Sequence, residues 1–214
     1  NVPDLSSNAA TSGSSHVFKI AANADVVAKS VNAPSATVMV SGAPKTGNTQ
    51  TVYRTKLSLS SGVIDSSTER TRKSTDYLAW IKFSAGSKYK LTLSTVTLKF
   101  TGSAVTSGAT AFAVNLKKYS DNSAFGSAAS TNCTPTAGNT CSVSFAPALE
   151  IAQNDYETAK VLVSSANFTE ADNAQSLSVT IDAVGDVLWT DGSSTGIQLE
   201  SSVVPFTVAD VTYN

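Results

Sequence analysis

Apolar residues recur at every second position through Tyr77, Ala79, Ile81 and Phe83, and again through Tyr89, Leu91 and Leu93. This is the period of a strand with one buried face. The segment Ser84-Ala85-Gly86-Ser87 between the two runs predicts a hairpin turn. In the second run the apolar phase then moves to Val96, Leu98 and Phe100, a slip that a β-bulge near Ser94-Thr95 would absorb. The slip recurs where Val204, Phe206 and Val208 give way to Val211 and Tyr213 around Ala209-Asp210. That pattern predicts a second bulged or sheet-switching strand.

Further strands are predicted at 17–20, 26–31 and 37–40, and at 52–59, 112–116, 143–145, 159–163 and 177–181. The runs 187–189 and 197–199 flank an Asp191-Gly192 turn. The stretch 149–160 admits either a short helical turn or another strand. With about ten or more short antiparallel strands and no intervening helices, the expected fold is all-β: a single β-sandwich, Ig-like or jelly-roll-like, with a barrel as the other closure. Residues 1–16 are small and polar and read as a flexible tail, with the sandwich over 17–214. No internal repeat is visible.

Composition moves the picture outside the cell. The chain has 214 residues, of which 33 are Ser and 26 Thr, while only 14% are charged. Thr suits pleated strands and Ser suits turns, giving a polar but sparsely charged surface, as in many secreted proteins. The chain opens at Asn1 without a basic and apolar leader, so export is expected from composition and cysteines, any leader having gone. No run of 18 apolar residues predicts a transmembrane segment.

Cys133 and Cys141 enclose the turn-rich Thr-Pro-Thr-Ala-Gly-Asn-Thr and are expected to form a disulfide that pins one hairpin. Two thiolates without a nearby His leave a zinc site half built, and the spacing is not Cys-x-x-Cys. Asn132-Cys133-Thr134 and Asn167-Phe168-Thr169 are candidate glycosylation sequons.

Catalytic apparatus is not apparent. His16 is the one histidine and falls in the tail, so a Ser-His-Asp arrangement is not expected. Phosphate loops and nucleophile elbows are absent from the sequence. The close carboxylates Asp155 with Glu157, Glu170 with Asp172, and Asp182 with Asp186 read first as solvated loop charge, then as calcium ligands or a glycosidase pair. Trp80 and Trp189 lie in apolar runs and are expected in the core. No cofactor is implied, and a net charge of −1 makes nucleic acid a poor partner.

Charge is ordered along the chain. Residues 1–118 hold 14 of the 15 Lys and Arg against 5 acids, a net +9, and residues 119–214 hold 1 against 11, a net −10. Either the two halves interleave and pair across strands, or one surface is basic and another acidic, so that copies attract head to tail.

The run Gly185-Asp186-Val187-Leu188-Trp189-Thr190-Asp191-Gly192, with Pro205 and Val211-Thr212-Tyr213, resembles the ending of Ig-like domains in surface proteins of candidate-phylum bacteria. The layout of tail, β-rich segment at 17–31 and following sandwich is similar to extracellular thread and pilus subunits built by donor-strand complementation. This resemblance implies a polymeric surface role, with copies of the chain as partners. Val17, Phe18, Ile20, Val26, Val27 and Val31 are the candidate donor-strand residues, whose apolar side chains would enter a neighbour's sheet. The alternative expectation is a carbohydrate-binding or adhesive module with glycan partners, for which an exposed aromatic row is the sign.

Overall fold

The computed structural model describes residues 12–29, 37–38, 41–64, 69–106, 108–128, 130–168 and 175–213. By contacts the chain divides into Asn1–Tyr53 and Arg54–Asn214, whereas the sequence placed the boundary after residue 16.

Among the described residues the first unit contains six short strands: β1 (Ser14–His16), β2 (Lys19–Ile20), β3 (Ala28–Lys29), β4 (Thr37–Val38), β5 (Lys45–Thr46) and β6 (Gln50–Val52). They pair as nested antiparallel couples, β1 with β6, β2 with β5 and β3 with β4. Ser14 opposite Val52, Ile20 opposite Lys45 and Lys29 opposite Thr37 keep one register to within a residue, so the couples form a single interrupted ribbon. The interruption is a 3-10 turn at Asn23–Asp25. Asp25 Oδ2 accepts the backbone N–H groups of Ala21 and Ala22 at 2.8 and 2.9 Å, while Asn23 Oδ1 accepts from Ala43 at 3.0 Å and ties the returning side to the turn. His16, expected in a flexible tail, instead sits opposite Gln50.

The second unit is the β-sandwich. Its strands are β7 (Leu57–Val63), β8 (Glu69–Arg70), β9 (Asp76–Ala85), β10 (Leu91–Thr101), β11 (Phe112–Lys118), β12 (Thr131–Cys133), β13 (Thr140–Phe145), β14 (Leu149–Ile151), β15 (Tyr156–Val163), β16 (Gln175–Ile181), β17 (Val187–Thr190), β18 (Ile197–Gln198) and β19 (Phe206–Tyr213). One sheet has the order β12-β11-β15-β9-β7. The other is organised by β10, which pairs with β13 and β14 in succession and with β16 and β17 in succession; β18 joins β17, β19 joins β16, and β8 joins β19 in parallel.

The predicted hairpin between the alternating runs is not formed. β9 pairs with β7 and β15 in the five-stranded sheet, while β10 lies in the other sheet. The link between them is an arch, captured by residues just ahead of β7 and β15: Gly86 N–H donates to Lys56 O at 2.9 Å and Asn154 N–H donates to Gly86 O at 3.2 Å. Periodicity shows that two strands each bury one face, and it is silent on whether they face each other across a core or lie side by side.

The predicted slip in β10 is present, with the register shifting between Leu93 and Thr95. In β19 it falls at Val208–Ala209, just upstream of the expected place, where Val179 pairs Ala209 and Thr180 pairs Thr207. Of the two readings for 149–160, the strand holds. The core runs between the sheets, and four rings cross it edge to face: Phe100 on Phe112 at 5.6 Å, Phe112 on Phe168 at 5.1 Å, and Phe168 on Tyr213 at 5.1 Å between centroids.

Candidate functional site

The apolar residues of 17–29 do not form one strand. They sit on two short strands and their flanks, on either side of the Asn23–Asp25 turn, and pair with the chain's own 37–46. Val31 lies outside the described residues. Val17, Phe18, Ile20, Val26 and Val27 are all exposed, Phe18 at 73% and Val27 at 76%. Phe18 and Ile20 line an open hollow with Lys45 and Gly47. A two-stranded ribbon has no second layer, so its apolar side chains have nowhere within the ribbon to go.

A disulfide and a buried polar cluster join the sandwich's sheets, beside the bond from Ser61 Oγ on β7 to Thr207 O on β19 at 2.9 Å. Cys133 and Cys141 are bridged, with Cα atoms 5.7 Å apart. The bond joins β12 of one sheet to β13 of the other, so it staples the sandwich rather than a hairpin within one sheet. The second fastening is polar. Arg70 Nη1 donates to Asp76 Oδ1 at 2.8 Å and to Tyr77 O at 2.9 Å, Arg70 Nη2 donates to Leu78 O at 3.3 Å, and Tyr213 Oη donates to Asp76 Oδ2 at 2.7 Å. A bulge in β9 frees those carbonyls: Val161 pairs Ala79 and Leu162 pairs Tyr77, leaving Leu78 as the extra residue.

The close carboxylates act on backbone and lysines. Asp186 Oδ2 accepts from the N–H groups of Asp182 and Ala183, Asp182 pairs with Lys99 at 2.8 Å, and Asp155 Oδ1 accepts from Tyr156 N–H. Glu170 and Asp172 lie outside the described residues. Among the described residues no group of three His, Cys, Asp or Glu side chains comes together as a metal site. Asn132 is exposed on β12, opposite Ala113, and the side chain of Asn167 lies outside the described residues.

The charge order along the chain becomes pairing in space. Lys56–Glu200, Lys90–Glu150, Lys99–Asp182 and Lys118–Glu157 each join a first-half lysine to a second-half acid, at 2.9, 2.7, 2.8 and 3.7 Å. The interleaved reading of the two halves is the one these pairs support.

An aromatic row lies where the sequence expected core. Trp189 is buried, but Trp80 points to the outer face of the five-stranded sheet and is only half-buried. Its indole lies flat over Gly62, the residue opposite it on β7: a Cβ at Gly62 would meet Trp80 Cζ2 at 2.7 Å. Tyr77, Tyr119 and Tyr156 are exposed at 37%, 47% and 53%. Lys82 Nζ stands 3.6 Å from the Tyr156 ring centre, and Lys160 Nζ stands 4.8 Å from that of Tyr119 and 5.6 Å from that of Tyr77. The bulge at Leu78 is what turns Tyr77 outward. The available signal was Trp80 and Lys82 alternating with Ile81 and Phe83, since a polar partner two positions away marks the outward phase.

No family model matches the chain, and no curated protein matches it. Among solved structures, the chain is similar to AvmM, which catalyses macrocyclization in alchivemycin A biosynthesis. The likeness covers 75% of this chain and 84% of that one at 10% identity and a TM-score of 0.32, a level that carries no functional argument. Among the described residues no helix is long and apolar enough to cross a membrane.

Proposed function

We propose that this chain is a non-enzymatic structural subunit of an extracellular filament or surface layer, joined to copies of itself through the ribbon of β1–β6. The observation that carries this reading is the exposure of Val17, Phe18, Ile20, Val26 and Val27 on a ribbon whose described strands pair with one another. Burying a side chain of this kind contributes about 1.5–3 kcal/mol. A two-stranded ribbon is marginal in water, and a further layer or strand stabilises it.

An open strand edge on a neighbour supplies what the ribbon lacks. β7 ends the ladder of the five-stranded sheet, with Ser61 Oγ donating to Thr207 O of β19 at 2.9 Å, and the rest of its outer edge is where a neighbour's ribbon would add. Main-chain hydrogen bonds then give affinity and the alternate side chains give specificity. The single donor strand of the sequence reading thereby becomes a two-stranded arm. Because Lys56, Lys90, Lys99 and Lys118 are paired with second-half acids within the sandwich, attraction between copies rests more on apolar burial than on a charged head and tail.

The test uses the full chain with Phe18→Ser and Val27→Ser together, followed by light scattering and negative-stain imaging over rising concentration. The expected result is assembly of the parent chain and a folded monomer for the double variant. A parent chain that stays monomeric, or a variant that assembles equally well, overturns the reading.

A further inference from the structure

The outer face of the five-stranded sheet combines flat aromatic rings with cations. The register sets Gly62, Trp80, Lys160 and Lys117 in one row across β7, β9, β15 and β11, and sets Ser60, Lys82 and Thr158 in the next. Tyr156 stands opposite Ser84 in the row beyond. Along β9 the span from Tyr77 to Ser84 is about seven residues, or roughly 23 Å at the strand rise. The rings therefore form a track rather than a single spot.

Two features of this face point to a ligand rather than to packing. The first is glycine beneath tryptophan: Gly62 lets the Trp80 indole lie against the sheet with its other side toward solvent. The second is the sign of the charge. The outward positions on these strands hold Lys82, Lys117 and Lys160 and no carboxylate, although the chain as a whole has net charge −1. Lys160 is held in place by Asn122 Oδ1, which accepts from its Nζ at 2.8 Å.

We infer that this face binds a linear polysaccharide carrying carboxylates, a polyuronate, with sugar rings stacked on Trp80 and the tyrosines and carboxylates met by Lys82 and Lys160. The apolar face of a sugar ring matches a flat indole. Its carboxylates complete cations that already lean on tyrosine rings. Single-stranded nucleic acid also stacks on aromatics, but it brings one phosphate per nucleotide, and the few lysines on this face neutralise little of that charge. The inference rests on the outer face of the sheet and the assembly role on its β7 edge and the ribbon, so each can fail without the other, although Gly62 lies on β7.

The experiment titrates the full chain with polygalacturonate oligosaccharide, neutral dextran and a dT oligonucleotide, following tryptophan emission and isothermal heat. Trp189 is buried, so a change in emission on binding reports Trp80. The expected result is binding of polygalacturonate only, weakened about tenfold or more by Trp80→Ala and by Lys82→Gln with Lys160→Gln. Lys90→Gln, just ahead of β10 of the other sheet, should bind as the parent does. The Lys→Gln variant changes only surface side chains, so the test survives if Trp80→Ala fails to fold. Absence of polygalacturonate binding, equal binding of dextran, tighter binding of dT, or full binding by the Lys82→Gln, Lys160→Gln variant overturns the inference.

Discussion

Tyr213 and Asp76 are 137 positions apart in the chain, on strands of different sheets, and are joined by a 2.7 Å hydrogen bond inside the core. The Asp76 carboxylate also receives Arg70, and both side chains of that ion pair are almost fully buried. Two buried charges are thus satisfied by each other, by a phenol and by the carbonyls that the β9 bulge releases. Losing one member leaves the others stranded in a medium of low dielectric.

Tyr213→Phe removes one donor and is expected to cost about 1–3 kcal/mol in denaturant unfolding. Asp76→Ala strands the Arg70 guanidinium and is expected to cost more, about 3–5 kcal/mol. The Tyr213 phenol is held well above its ordinary pKa of 10.0, first by burial and then by the bond to Asp76. Because the folded value is raised, the contribution is whole below pH 10 and is lost as pH rises beyond it, while the unfolded chain ionises. Stability above pH 10 should therefore fall by up to about 1.4 kcal/mol per pH unit from this group. Tyr213→Phe should remove that share of the slope, and equal alkaline slopes in both proteins would show that Tyr213 is not the group responsible.

Reduction of Cys133–Cys141 should lower stability without abolishing the fold. A closed loop of about nine residues is worth about 2–3 kcal/mol in the chain-entropy model. For a chain of this size that corresponds to roughly 5–10 °C in Tm. Calorimetry with and without reductant reads it, and collapse of the fold on reduction would mean that the staple between the sheets carries far more than its loop entropy.

The sandwich was largely legible in the sequence because each strand has one buried face, and alternation reports burial directly. The same property explains the bulge at Ser94, where a phase slip within an apolar run has one geometric remedy. What alternation does not carry is the partner of each face. β9 and β10 therefore read as a hairpin although they lie in different sheets, and Cys133 and Cys141 read as pinning a hairpin although they join sheets. Tyr77 was counted inward because the bulge that turns it out sits at Leu78, an apolar residue that breaks no visible pattern. Arg70 gave no signal, since its role depends on carbonyls freed elsewhere. In the first unit the strands are two or three residues long, too short for a period, and the pairing of Ser14 with Val52 spans the whole ribbon.

Salt separates the two forces that could bring copies together. With the Lys–acid pairs internal to the sandwich, assembly should vary less than about threefold between 0.05 and 0.5 M NaCl, a range over which the screening length falls severalfold. Sodium sulfate, which strengthens apolar burial, should accelerate it. Turbidity or scattering traces in the two salts measure both effects. A steep fall in rate with NaCl would restore attraction between charged ends.

Whether the ribbon docks whole or opens to lend a strand can be read from a pair of cysteines. Ser15 and Thr51 are directly opposed on β1 and β6, and their hydroxyl oxygens meet at 3.3 Å. Side chains opposed in this way on antiparallel strands are near the spacing a disulfide needs. In the Ser15→Cys, Thr51→Cys variant, mild oxidation of dilute protein should give a cross-link within one chain, seen as a faster-running monomer on non-reducing gels. If the arm docks as a closed ribbon, oxidation after assembly gives the same band. If residues 17–31 instead leave their partner and enter a neighbour's sheet, β1 of one copy is drawn away from its own β6, and the cross-link is lost or appears as a ladder of covalent multimers. Absence of the bond in dilute protein would contradict the self-paired ribbon itself, and with it the reason for its exposed apolar face to seek another copy.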